Sequence, residues 1–131
     1  MGRDIVSTPM KDAIILFAHG SRDPQWAAPM RTIQTLLSRK RPDSQVLLAF
    51  LELMSPDLES AVGDAAEHGA RSITIAPLFL AAGGHLKKDL PELVARCSQS
   101  FPQLKFEVLT PIGESEVLLG AIADWVCDSL R

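Results

Sequence analysis

Four apolar runs alternate with four helical patterns along the 131-residue chain, and no other feature limits its fold as much. The runs are Ala13 to Ala18, Gln45 to Leu53, Ser72 to Leu80 and Lys105 to Leu109. Parallel strands need a crossover of about a dozen or more residues between them, usually a helix. Regular strand–helix repetition therefore predicts an α/β fold, a three-layer sandwich around a four-stranded parallel sheet. Right-handed crossovers leave few arrangements, and the expected order is 2-1-3-4. In that order strands one and three are neighbours, and the chain winds away from them in opposite directions. The crevice beyond their carboxyl ends is the switch point where such sheets bind ligands.

The helices have their own signals. The first follows Asp23-Pro24, with Trp26, Met30, Ile33 and Leu37 at helical spacing; Pro29 requires a start near Ala28 or a bend. Arg39-Lys40-Arg41 suits the negative pole at its end. Ser55-Pro56 reads as the cap and first position of the second helix, whose stripe is Leu58, Ala61, Val62, Ala65 and Ala66. His68 is a surface residue at that helix end, and Gly69 the left-handed residue that stops it. The third helix is expected from Pro91, through Leu93, Val94 and Cys97. The last is expected from about Glu114, with Leu118, Ala121, Ile122, Trp125 and Val126 inward. The strand Lys105 to Leu109 alternates as an edge strand does.

Residues 1–11 are expected to form a flexible tail lacking the apolar core of a signal peptide. Residues 12–131 are expected to form a single domain. A hydrophobic share of 47% with 22% charged residues suits a globular chain. The net charge of -3 argues against broad nucleic-acid binding. No apolar run reaches the roughly 20 residues of a membrane helix. Cys97 and Cys127 both fall on apolar helix faces and read as buried small hydrophobes rather than a disulfide or metal pair. A reducing, cytoplasmic setting follows.

Candidate chemistry collects at the crevice. Ile73 to Pro91, ITIAPLFLAAGGHLKKDLP, is a buried strand ended by Pro77, a loop of small residues and then His85. His19 stands just past strand one. The proposed order brings both histidines to one crevice. Two imidazoles there suggest a divalent metal or a pair of proton acceptors. Glu52, at the end of strand two, lies beside them. Two His and one Glu leave coordination positions open, as a working metal site does. The plainer readings are a hydrogen-bonded His19 and a Glu52 turned to solvent.

Gly20-Ser21-Arg22-Asp23 leads into a helix N-terminus, which attracts anions, and Arg22 can add a bidentate contact to carboxylate or phosphate. The spacing is not that of a P-loop. Asp23 reads first as a helix cap. Lys87 and Lys88 are either solvated charges or a means of steering an acidic ligand. Gly83 and Gly84 let another group come close to His85. These residues define a metal- or acid-binding crevice and leave its substrate unnamed.

The chain resembles the short form of the CbiX, or sirohydrochlorin cobaltochelatase, family. The resemblance rests on AHGSRDP at Ala18 to Pro24, on FLEL followed by proline at Phe50 to Pro56, and on PLFLAAGGHLKKDLP at Pro77 to Pro91. It extends over nearly the whole chain from Ala13. It implies a chelatase-like half-domain that inserts a divalent metal into the eight-carboxylate tetrapyrrole sirohydrochlorin, in cobalamin or related biosynthesis. Cobalt is the expected metal substrate, with iron or nickel as alternatives, and no further cofactor is implied. By resemblance, His19 and His85 are metal-binding and catalytic, and Glu52 is a third metal or proton contact. Ser21, Arg22, Gly84, Lys87 and Lys88 are substrate-binding. Long members carry two such domains with the tetrapyrrole between them, so a short chain implies a homodimer, with Leu78, Phe79 and Leu80 as exposed apolar walls. Two other readings remain: a non-catalytic tetrapyrrole or metal carrier, and a metal-dependent hydrolase.

Overall fold

A computed structural model describes residues 10–81 and 83–131. The expected tail falls mostly on residues 1–9, outside the described residues. Each apolar run contributes a strand: β1 Asp12–Ala18, β2 Gln45–Phe50, β3 Ser72–Pro77 and β4 Lys105–Val108. All three pairings are parallel, and the order is β2-β1-β3-β4. The expected order holds, with β1 and β3 central and β4 at an edge.

The helices are α1 Ala28–Lys40, α2 Leu58–Glu67, α3 Gly84–Ser100 and α4 Glu116–Ser129. Strand alternation decides what each covers. Ala13, Ile15 and Phe17 of β1 and Ile73 and Ile75 of β3 face α2 and α3, and join Leu58, Val62, Leu90 and Cys97 in the main core. On the other face α1 lies over β2 and β1. A smaller cluster there gathers Ala18, Ala27 and Phe50, with Trp26, Met30 and Leu48 against it.

Several boundaries differ from the sequence reading, each for a local reason. Pro29 falls in the first turn of α1, where a missing N–H costs nothing, after a 3-10 turn at Pro24–Ala27. Asp57, not Ser55, caps α2: its carboxylate accepts the Ser60 N–H at 2.8 Å. That bond holds the Asp57 carboxyl below its ordinary range. Gly69 takes φ 96°, as the helix end requires. α3 starts seven residues before Pro91, which lies inside the helix. α4 starts at Glu116, because the Ser115 hydroxyl caps it by accepting the Leu118 N–H.

Two burial expectations fail. Cys97 is buried, and burial pushes its thiol up to about 11. Cys127 is exposed. On α4, Leu118 is only half-buried, while Ala121, Ile122, Trp125 and Val126 are exposed rather than inward. α4 packs mainly against the short 3-10 turn Ile112–Glu114 that precedes it.

Candidate functional site

The site is built where β1, β2 and β3 end side by side. β1 stops at Ala18, and His19 is the next residue. β2 stops at Phe50, three residues earlier than its apolar run suggests, and the chain bends through 51–55. That bend carries Glu52. Its turn is tight: the Met54 N–H donates to the Glu52 carbonyl at 2.8 Å, and Leu53 adopts φ 68°. A bulky residue in the left-handed region is strained, and such strain clusters at ligand sites and turns.

Gly20 makes the junction possible. A Cβ there would lie 1.7 Å from the Glu52 carbonyl oxygen, so only glycine lets the two segments meet. The Leu51 N–H donates to the Ala18 carbonyl at 2.8 Å and continues the β1–β2 ladder to this point. The result is a contact between His19 Nδ1 and Glu52 Oε1 at 3.3 Å, with both side chains about half exposed, 47% and 45%. The carboxylate fixes which ring nitrogen faces it and leaves Nε2 free to meet a ligand.

Phe79 holds the ring from the other side. Its centroid is 4.7 Å from that of His19 at 76°, and it packs edge-on against Phe17 at 5.5 Å. Phe79 is 2% exposed and belongs to the core. The expected run of exposed apolar walls is thereby corrected: Leu78 is half-buried against the smaller cluster, and Leu80 alone stands exposed. Phe79 is the site residue that the sequence reading placed wrongly. Alternation along β3, with Ile73, Ile75 and Pro77 inward, puts it on the core side and was the available signal.

His85 lies on the neighbouring strand's exit, in the first turn of α3 rather than on a loop. It is exposed, as are Lys87 and Lys88. Gly83 and Gly84 form the helix start, and nothing in the chain lies within 4 Å of a Cβ built on either. The close approach expected there is open surface beside His85. Among the described residues, His19 and Glu52 meet, and no three His, Cys, Asp or Glu side chains come together as a metal cage.

The anion-binding candidates separate. Asp23 caps the 3-10 turn by accepting the Gln25 N–H at 3.0 Å, and the Ser21 hydroxyl accepts the Asp23 N–H at 3.0 Å. Ser21 is therefore occupied in shaping the turn, while Arg22 is exposed and makes no ion pair among the described residues. Beyond β3, Phe79, Leu86, Lys87, Leu90, Pro91, Pro111 and Glu114 line a mostly apolar cavity of about 190 Å³. The strand exits thus carry an imidazole–carboxylate pair, and the segments that follow them carry a second imidazole, exposed cations and an apolar cavity.

A family model matches nearly the whole chain. CbiX matches residues 13–129. The chain belongs to the CbiX family. Its fold superposes on a CbiX protein from Marinobacter aquaeolei VT8 with a TM-score of 0.74 at 34% identity, covering 89% of this chain and 95% of that one. A sirohydrochlorin cobaltochelatase from Sulfolobus acidocaldarius is 31% identical over 76% of this chain and 77% of its own length. The sirohydrochlorin ferrochelatase of Bacillus subtilis is 30% identical over 86% of this chain but 43% of its own. This chain spans about half the length of the first curated relatives it matches. No described helix is long and apolar enough to cross a membrane.

Proposed function

We propose that the chain inserts a divalent metal ion into sirohydrochlorin, with the crevice at the ends of β1, β2 and β3 as the reaction site. The observation that carries this reading is the His19–Glu52 pair at 3.3 Å, held by Gly20 and Phe79 in a member of the CbiX family. Insertion exchanges two pyrrole N–H protons for one M²⁺ ion. A neutral imidazole can take such a proton or hold the arriving ion, and a pair at adjacent strand ends can divide those tasks. Glu52 accepts the Nδ1–H of His19 and stabilises the imidazolium formed when Nε2 is protonated. His85 is the second acceptor or ligand. Arg22, Lys87 and Lys88 meet peripheral carboxylates of the macrocycle, and Gly84 and Ser21 shape the surfaces beside it.

Cobalt is the metal substrate proposed first; relatives that act with iron keep Fe²⁺ in contention, and Ni²⁺ is the remaining candidate. Imidazole and carboxylate accept all three, and affinity order does not set selectivity. The working unit is a cytoplasmic homodimer with the macrocycle between two copies. Anaerobic absorbance of sirohydrochlorin with each metal, with and without the protein, tests the reading. Accelerated conversion supports a chelatase, and the fastest metal names its substrate. A bound spectrum that never converts would instead describe a carrier.

A further inference from the structure

His19 is flanked by two segments, and on each side a glycine allows a close approach. On one side Gly20 admits the backbone of Glu52, whose carboxylate meets Nδ1 of the imidazole. On the other side the Phe79 ring lies 4.7 Å from the imidazole, centroid to centroid. Packing alone does not fix Phe79. Its ring meets Phe17 edge-on, but it also borders the apolar cavity lined by Leu86, Leu90, Pro91 and Pro111. Atoms that face a void lack the contacts that would hold them on that side.

The backbone supplies the missing restraint. The Leu78 N–H donates to the Phe17 carbonyl at 2.7 Å and ties the segment to β1. The Phe79 carbonyl accepts the Gly113 N–H at 3.1 Å, which ties it to the turn after β4. Phe79 therefore sits between two main-chain bonds to separate parts of the sheet. The approach at Gly113 is as close as that at Gly20. A Cβ on Gly113 would lie 1.7 Å from the Leu80 carbonyl oxygen and 3.1 Å from that of Phe79. Both atoms are backbone and cannot swing aside as the end of a side chain can. Only glycine lets the turn seat there.

We propose that Gly113 is a positioning residue for His19. It locks the backbone of Phe79, and the Phe79 ring then keeps the imidazole against Glu52 with Nε2 directed outward. Gly113 acts through Phe79 and not on the reacting atoms. A proton acceptor or ligand works only when its lone pair points at its target, and a misplacement of about an ångström can cost about 100-fold in rate. The effect on rate rests on the proposed metal insertion; the effect on the ring does not.

The test sets Gly113→Ala and Phe79→Leu against His19→Ala. In the protein alone, in mildly alkaline buffer, the ¹⁵N shifts of the His19 ring report its tautomer; they are assigned by their loss in His19→Ala. Wild type is expected to hold one tautomer, and both variants to mix the two as the ring turns away from Glu52. In metal insertion into sirohydrochlorin, each variant is expected to lower kcat by about 10- to 100-fold and to leave KM within about twofold. In a His19→Ala background neither is expected to lower the residual rate further, because nothing is left to position. An equal loss in both backgrounds marks general destabilisation and overturns the proposal. A raised KM with unchanged kcat overturns it as well, since the residues would then serve binding. Where Gly113→Ala does not fold, Phe79→Leu carries the test, because the whole effect of Gly113 is placed in Phe79. If wild type inserts no metal, the proposed function fails and the tautomers decide: mixing in the variants supports positioning, and a single tautomer throughout overturns it.

Discussion

α2 and α4 make opposite use of apolar surface. α2 has mostly small apolar residues, Ala61, Val62 and Ala65 beside Leu58, and each is almost completely buried against the sheet. α4 has larger ones, and none is buried. The difference teaches that apolar content says a helix is to be covered, not by what. Small side chains bring α2 close to β1 and β2 and into contact with α3. α4 carries more bulk and packs mainly against the short turn that precedes it.

Cutting the core beneath α2 gives the largest expected effect. Leu58→Ala is expected to cost about 2–5 kcal/mol in urea unfolding at any protein concentration. The matching cut on α4, Ile122→Ala, is expected within about 0.5 kcal/mol in dilute protein, where the helix is uncovered. Its cost is expected to grow as concentration rises, because the proposed homodimer links stability to assembly. Equal losses at all concentrations would erase the contrast.

Gly20→Ala probes the crevice rather than the core. Its Cβ meets the Glu52 carbonyl, so the segments must part by more than an ångström. We expect a loss of about 1–3 kcal/mol. A separation of His19 from Glu52 is expected with it, read as a change in the His19 ring resonances by NMR. Unchanged resonances would mean that the pair does not need the close approach.

The smallest effects lie at the two ends of α2, with opposite pH signs. The Asp57 carboxyl is lowered from 3.8 by the Ser60 N–H it accepts, so its contribution is present above pH 3.8 and is shed as pH falls below it. His68 is raised from 6.5 by its hydrogen bond to the Asp64 carbonyl at 2.8 Å and by the Asp64 carboxylate. Its contribution is present below pH 6.5 and is lost as pH rises through the higher folded value. Denaturant midpoints of Asp57→Ala are expected to converge on wild type at low pH, and those of His68→Ala at high pH. The reverse pattern would show that these caps do not act through charge.

Much of this was legible in sequence, and the failures have causes. Strand order follows from alternation and handedness, and His19 and Glu52 fall on adjacent strand exits once that order is known. β2 reads as running to Leu53 because an apolar run does not show where a strand bends. α3 reads as starting at Pro91 because proline is a start signal at a helix's first turn, whereas here the helix begins at Gly84 and accommodates it. Phe79 reads as a wall because it stands in the apolar run Leu78 to Leu80 beyond the strand, although alternation assigns it to the core. α4 reads as inward because its pattern says buried, but an apolar pattern does not say what covers a helix.

The reaction site itself is tested most directly by insertion rates of wild type, His19→Ala and His85→Ala on sirohydrochlorin under anaerobic conditions, with macrocycle binding measured in parallel. Both variants are expected to bind the macrocycle and to lose about 100- to 10,000-fold in rate, the range for a lost proton acceptor. Wild-type rates in both variants would contradict the account and move the chemistry away from this crevice.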